Sequence, residues 1–248
     1  MLTIAGPARF VSDLHLRAER PDLTERFAEF LTDTAASGVD TVFILGDLFE
    51  YWIGDDDLAD PFNAQVCTLL RNLADRGTRI FFIAGNRDFL IGETFAAATG
   101  ITLLNEIEKV GAGGTPTLLM HGDTVCTDDI PYQEFRKMVR SGEWQADFLA
   151  RPLPQRRAEV ESLRRRSTAA MQGKTAEIMD ASAAAIRAVL TANGCTRLIH
   201  GHTHRPGREN IALADGVAER WVLSDWDTGR GDALEIDGTG VRRIDLSR

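Results

Sequence analysis

Short apolar runs closed by Gly, Asp or His recur along the chain, separated by segments of helical period. Arg9 to Val11 precedes SDLHL at 12–16, Thr41 to Leu45 precedes GDLFE at 46–50, and Ile80 to Ala84 precedes GNRD at 85–88. Thr117 to Met120 then leads into HGD at 121–123, and Leu198 to His200 into GHTH at 201–204. All but the fourth run are rich in β-branched and aromatic residues, and turn residues close them, which predicts buried strands. Between them, Pro21 to Ser37 sets Leu23, Phe27, Phe30, Leu31 and Thr34 at helical spacing and stops at Gly38. Pro61 to Arg76 repeats the pattern with Phe62, Val66, Leu69, Leu70 and Leu73, stopped by Gly77. Two β-α-β units are therefore expected in the first 85 residues, then a short helix at Phe95 to Ala98 and a second group of strands beginning at Thr117. The tail from Trp221 to Leu246 alternates apolar and polar residues with Gly breaks and predicts two or three antiparallel strands.

At 248 residues with 44% hydrophobic content, the chain suits one sizeable α/β domain. Cys67, Cys126 and Cys195 are odd in number and contain no CxxC, so neither a disulfide framework nor a thiolate zinc site is indicated, and a reducing cytoplasm is expected. The start lacks a signal-peptide pattern, and no apolar run approaches the roughly 18 residues that a membrane span needs. A net charge of -9 argues against nucleic acid as a partner. The charge is unevenly spread: Arg136 to Lys174 carries ten Lys or Arg against four acids, an excess of +6. Phe135, Met138, Val139, Trp144, Phe148, Leu149 and Leu153 lie in or beside this stretch. Apolar residues interleaved with cations suit a surface that meets lipid and anionic groups, against the plainer reading of a solvated basic face.

A single Gly-Asp or Gly-Asn step is an ordinary strand-to-turn signal. Five such motifs in succession, carrying carboxylate, amide and imidazole donors, point instead to divalent cations held at strand ends. In Asp13-x-His15 on an extended segment, residues two apart point the same way and could bind one ion together, and His202-x-His204 could do the same. A second ion would take Asn86 and His121, with Asp47 as the bridge. Two cations about 4 Å apart activate a water and clamp phosphate oxygens, so phosphoester or phosphoanhydride hydrolysis is the expected chemistry.

The pattern D-x-H, GD, GN, H and GHxH resembles that of the calcineurin-like metallophosphoesterases over most of the chain. That resemblance implies a double β-sandwich flanked by helices, α-β-β-α in layers, filling residues 1–248. It implies Asp13, His15, Asp47 and His204 on one metal, and Asp47, Asn86, His121 and His202 on the other. His200 falls outside the pattern and reads as a supporting histidine behind the ligands. Phosphomonoesterases of this family usually carry His after the Gly-Asn pair, to protonate an alkoxide leaving group. Arg87 stands there in this chain, which favours a pyrophosphate, whose leaving phosphate needs no acid and which Arg can grip.

The wider stretches GDLFEYWIGDDD (46–57), GNRDFLIG (85–92), HGDTVCTDD (121–129), IMD (178–180) and IHGHTHRP (199–206) resemble the UDP-2,3-diacylglucosamine pyrophosphohydrolase family of lipid A synthesis. What that resemblance implies is a helical cap at 127–180 for the two acyl chains, two Mn2+ per chain, and a peripheral position on the cytoplasmic face of the inner membrane. Mixed nitrogen and oxygen ligation also admits Fe2+ or Zn2+. Carried over by position, it implies that Asn86, Arg87, Asp129, Ser167, Lys174 and His202 touch the substrate, with Arg164 a further phosphate contact. Water would attack the α-phosphorus to give UMP and 2,3-diacylglucosamine 1-phosphate. Two features depart from that family: Met171 replaces a polar residue, and the strand expected near SDWDTGRGD (224–232) lacks the aromatic-and-histidine pattern. The rival readings are a phosphoesterase for a soluble nucleotide or a protein phosphate, and a non-catalytic lipid-binding scaffold of the same fold.

Overall fold

The computed structural model describes residues 2–171 and 180–247, with the side chains of 166–171 left aside. In chain order the strands are β1 (Leu2–Ile4), β2 (Ala8–Val11), β3 (Thr41–Ile44), β4 (Arg79–Phe82), β5 (Thr102–Leu103), β6 (Ile107–Ala112), β7 (Thr115–Met120), β8 (Arg197–His200), β9 (Gly207–Leu213), β10 (Gly216–Val222), β11 (Asp232–Asp237) and β12 (Gly240–Asp245). The helices are α1 (Pro21–Ala36), α2 (Pro61–Ala74), α3 (Glu93–Thr99), α4 (Ile130–Val139), α5 (Gly142–Leu149), α6 (Leu153–Met171) and α7 (Ala183–Asn193).

The strands form two mixed six-stranded sheets, in the orders β12-β11-β2-β3-β4-β5 and β1-β6-β7-β8-β10-β9. Strand residues alternate between two cores, as the two-residue side-chain period requires. Phe10, Phe43, Phe81 and Ile83 face the space between the sheets, where they meet Leu119, Ile199 and Trp221. Parallel register stacks three of these rings, with centroids 5.0 Å apart for Phe10 and Phe43 and 5.1 Å for Phe43 and Phe81. On the other face, Val11, Ile44 and Phe82 pack against Leu23, Phe27 and Phe30 of α1 and Val66 and Leu70 of α2. The outer face of the second sheet packs Leu118 and Leu198 against Ile186 and Leu190 of α7. The layering is thus α-β-β-α, as expected, and the two predicted crossover helices are α1 and α2 within a residue or two of their expected ends.

The short third helix runs from Glu93 to Thr99. β11 and β12 pair antiparallel in the tail, as read from the sequence. The edge strand β9 was not legible, since only Ile211 along it is buried and its pattern carries no alternating apolar face. Residues 224–231 form a loop rather than the expected strand, and β11 begins only at Asp232; Trp226 of this loop is buried, and its amide donates to the Asp13 carbonyl at 2.9 Å.

The helices α4, α5 and α6 lie over the ends of β3 and β4. Arg156 of α6 is 1% exposed and donates to the carbonyls of Ile53 and Arg151 and to the Asp56 carboxylate. Beside it Arg157 pairs with Asp57 at 2.6 Å and Asp60 at 3.3 Å. Asp55 accepts from Trp52 Nε1 and from the amides of Gly92 and Phe95, at the start of α3. The acidic run 55–57 therefore braces helices. All three cysteines are free and buried, and no described helix is long and apolar enough to cross a membrane.

Candidate active site

β2, β3, β4, β7 and β8 deliver Asp13 and His15, Asp47, Asn86, His121, and His202 and His204 to one place. Five of these residues have positive φ: Asp13 (54°), His15 (49°), Asp47 (54°), His202 (65°) and His204 (52°). They are the only non-glycine residues among those described with that backbone, which costs an L-residue about 1–2 kcal/mol each. Such strain persists only where the surroundings fix it. Here the Asp13 amide donates to the Gly46 carbonyl at 3.1 Å, His15 to Asp47 at 3.0 Å and Gly201 to His121 at 2.8 Å. The expected extended Asp13-x-His15 segment is thus replaced by left-handed residues. They still bring both side chains to one side, by turning the backbone rather than by strand alternation.

Glycines make this crowding possible. A Cβ on Gly85 would fall 2.1 Å from Asp47 Oδ1, and one on Gly201 2.1 Å from Asp13 Oδ2. A Cβ on Gly46, at φ 86°, would meet the Gly85 backbone at 2.5 Å. The Gly before Asp47, Asn86 and His202 is therefore a steric requirement, beyond the turn signal read from the sequence.

The donors fall into two groups. His15 Nε2 and His204 Nε2 are 3.4 Å apart, and Asp13 Oδ1 lies 3.3 Å from the second and 4.0 Å from the first. Asn86 Oδ1 lies 2.9 Å from both His121 Nε2 and His202 Nδ1, and Asp47 Oδ1 lies 3.7 Å from His121 Nε2. His202 thus sits with Asn86 and His121, away from His204. The expectation that His202 and His204 share an ion fails, because their left-handed residues turn the imidazoles into different groups. The family resemblance likewise separates His15 and His204 from Asn86, His121 and His202, but the carboxylate common to both candidate groups among the described residues is Asp13 rather than Asp47. Asp13 is near enough to Asp47 and His121 for one atom of each to lie within 4.8 Å of the others.

These residues fit divalent cations. Burial lowers His15 to about 3, against the pull of Asp13, and lowers His202 to about 4, so both imidazoles offer lone pairs at neutral pH. Burial also opposes the charge on His121, but the Asp47 and Asp13 carboxylates outweigh it and raise that ring to about 9. His121 Nδ1 lies 2.8 Å from the Leu45 carbonyl, to which it donates, leaving Nε2 turned to Asn86 Oδ1 and Asp47. A proton there stands where a cation would. Burial pushes the Asp13 carboxyl up, but the hydrogen bond with His204 and the charges of His121, His204 and His15 hold it well below the usual range.

Other groups hold these donors in place, and of them His200 alone reads as a support from the sequence. The fully buried Asp88 carboxylate accepts from the amides of Gly85 at 2.9 Å, Leu48 at 2.7 Å and Asp47 at 3.2 Å. Arg140, which caps the C-terminus of α4, donates to the Gly85 carbonyl at 2.8 Å. The Asp123 carboxylate accepts from Arg136 Nε at 2.7 Å and from the Tyr132 hydroxyl at 3.2 Å, and the Tyr132 ring lies 5.8 Å from that of His202. His200 is fully buried; its Nε2 accepts from Arg220 at 2.8 Å, so Nδ1 donates to the Gly201 carbonyl. Both its nitrogens are engaged, which suits a supporting histidine.

A cavity of about 350 Å³ lies between α4–α6 and the loops after β3 and β4. Phe89, Phe135, Trp144, Phe148, Val160 and Leu163 are among its apolar walls, and Asn86, Arg87, Arg136, Arg140 and Arg164 are among its polar lining. Arg87 donates its amide to Asp47 Oδ1 at 2.9 Å, while its buried Nε has no partner. Arg164 pairs with Glu50 at 2.7 Å and lies 5.7 Å from the Tyr51 ring. Asp129 is buried and caps α4, accepting from the Tyr132 amide at 3.2 Å. Ser167 and Met171 fall on α6 where side chains are not described, and Lys174 lies outside the described residues.

The family model described as calcineurin-like phosphoesterase matches residues 7–206. A UDP-2,3-diacylglucosamine hydrolase from Chromohalobacter salexigens is 45% identical over 94% of each chain, and one from Aromatoleum aromaticum is 47% identical over the same share of each. The crystal structure of a dimetal phosphatase from Danio rerio has a TM-score of 0.52 at 14% identity, over 98% of this chain and 99% of that one, a likeness of fold alone. With candidate metal donors at its strand ends and the family's model running through all of them, the chain belongs to the calcineurin-like phosphoesterases.

Proposed function

We propose that the protein hydrolyses the pyrophosphate of UDP-2,3-diacylglucosamine, releasing UMP and 2,3-diacylglucosamine 1-phosphate. The observation that carries this is the shared residue between the two halves of the site. Asn86 touches His121 and His202 and also lines the apolar cavity. A substrate held by its acyl chains in that cavity would present its phosphates to the ligand cluster. The cavity volume lies within the usual range for ligand pockets, about 300–1,000 Å³. The relatives' names agree with this reading, while the apolar walls count against a soluble nucleotide or a protein phosphate.

Asp13, His15, Asp47 and His204 would hold one Mn2+, and Asp47, Asn86, His121 and His202 the other. Bound there, the pair supplies an activated water and charge neutralisation on the phosphates. The chain's own residues do the rest. Arg87, with its Nε free inside the site, would grip a phosphate oxygen through a charge-assisted hydrogen bond. Arg164, Ser167, Lys174, Asn86, His202 and Asp129 would orient the sugar phosphate, and the segment 127–180, as a cap, would exclude water from the acyl chains.

The cap also supports peripheral membrane attachment on the cytoplasmic face. Ile130, Phe135 and Met138 of α4 and Leu149 of α5 are exposed apolar residues beside Lys137. Such a face suits shallow insertion among anionic headgroups. The ligand assignment is tested by Asp47→Ala, for which turnover is expected to vanish with loss of bound metal; a variant that keeps two ions and substantial turnover would sink the bridging role.

A further inference from the structure

The two imidazoles that face Asp13 each have a carboxylate behind them. Glu50 Oε2 lies 3.7 Å from His15 Nδ1, and Asp225 Oδ2 lies 3.5 Å from His204 Nδ1. In both rings the other nitrogen, Nε2, points at Asp13, and the two Nε2 atoms are 3.4 Å apart. His15 Nδ1 is buried and makes no hydrogen bond, so the Glu50 carboxylate is the charged group that stands next to it. Each carboxylate is itself fixed by arginine. Glu50 is 8% exposed and accepts from Arg17 at 2.8 Å and Arg164 at 2.7 Å, while Asp225 pairs with Arg230, which also reaches the His204 carbonyl at 3.5 Å.

We propose that Glu50 and Asp225 are positioning residues that hold the Nδ1–H of His15 and His204, so that both Nε2 lone pairs converge with Asp13 on a single divalent cation. The inference rests on the two-cation reading above. A carboxylate on the far nitrogen fixes the tautomer, prevents ring rotation and makes the bound nitrogen more basic. Without a partner on Nδ1, either nitrogen could carry the proton and the ring could turn. The arginines keep each carboxylate from turning to the cation itself and becoming a ligand. This assigns a role to the loop 224–231, which replaces the expected strand, and to Glu50 within GDLFE. Glu50 has a second consequence: its partner Arg164 belongs to α6 and lines the apolar cavity, so the brace behind His15 is joined to the cap.

The test is titration of the metal-free protein with Mn2+, without substrate, followed by calorimetry and by electron paramagnetic resonance of the free ion. Wild type should bind two ions; if it binds none, the two-cation reading fails and the inference with it. Glu50→Ala and Asp225→Ala should each weaken one of the two ions by about 10- to 100-fold and leave the other unchanged. Glu50→Gln and Asp225→Asn keep an oxygen that can accept from Nδ1–H and should recover most of the affinity. Wild-type affinity for both ions in the Ala variants would overturn the proposal while leaving the two-cation reading intact. Should the Ala variants fail to fold, 15N spectra of histidine-labelled, Zn2+-loaded wild type decide: a protonated Nδ1 and a metal-shifted Nε2 on His15 and His204 are expected. Metal on Nδ1 of either ring overturns it.

Discussion

Gly85 lies so close to Asp47 that a Cβ built on it would fall 2.1 Å from Oδ1 and 2.4 Å from the Asp47 amide. Neither atom can retreat. The amide is held by Asp88 at 3.2 Å, and Oδ1 accepts from Arg87 at 2.9 Å. Gly85→Ala must therefore push the Asp47 carboxylate out of the ligand cluster or force the loop after β4 to move. A displacement near 1 Å at a reacting centre costs about 10²-fold in rate. Gly85→Ala is predicted to lower kcat by at least that much and to bind fewer than two ions, measured by steady-state kinetics and elemental analysis.

The buried Arg156 links α6 to the segment after β3, and its removal leaves the Ile53 and Arg151 carbonyls without their donor. Arg156→Met is predicted to lower stability by about 1–3 kcal/mol. The Arg156 guanidinium also holds the Asp56 carboxyl below its ordinary range. A depressed folded-state value gives stability that is present above the ordinary carboxylate range and lost as pH falls through that folded value. The Tm gap between wild type and Arg156→Met should thus hold steady at neutral pH and shrink below about pH 4. Thermal melts from pH 3 to 8 check this, and a gap that widens on acidification would contradict the sign.

Much of the site was legible because ligation demands particular residue types: carboxylate, amide and imidazole cannot be replaced by generic polar groups. The β-α-β units were legible for a similar reason, since runs such as IFFIA and the 3.6-residue spacing of Phe27, Phe30 and Leu31 follow directly from burial. What the sequence hid depends on tertiary approach. Asp88, Glu50 and Asp225 are single acids in loops, with nothing local to separate them from surface carboxylates. The division of His202 from His204 follows from left-handed backbone at each, which residue spacing does not encode. The edge strand β9 was hidden because an exposed strand needs no apolar face.

Val160 and Leu163 of α6 line the apolar cavity beside Phe148 and Trp144. Val160→Trp would fill part of the space assigned to acyl chains, and overpacking of this kind costs about 1–3 kcal/mol. KM for the diacylated substrate is predicted to rise about tenfold or more, with a smaller change for a nucleotide sugar that lacks acyl chains. Equal effects on both substrates would place the acyl chains elsewhere.

The most direct measurement is release of UMP from UDP-2,3-diacylglucosamine by purified protein with Mn2+, run beside a chelated sample and unacylated UDP-glucosamine. The account predicts release from the acylated substrate, abolished by chelation, and little from the unacylated one. Turnover that survives chelation, or that ignores the acyl chains, would contradict it.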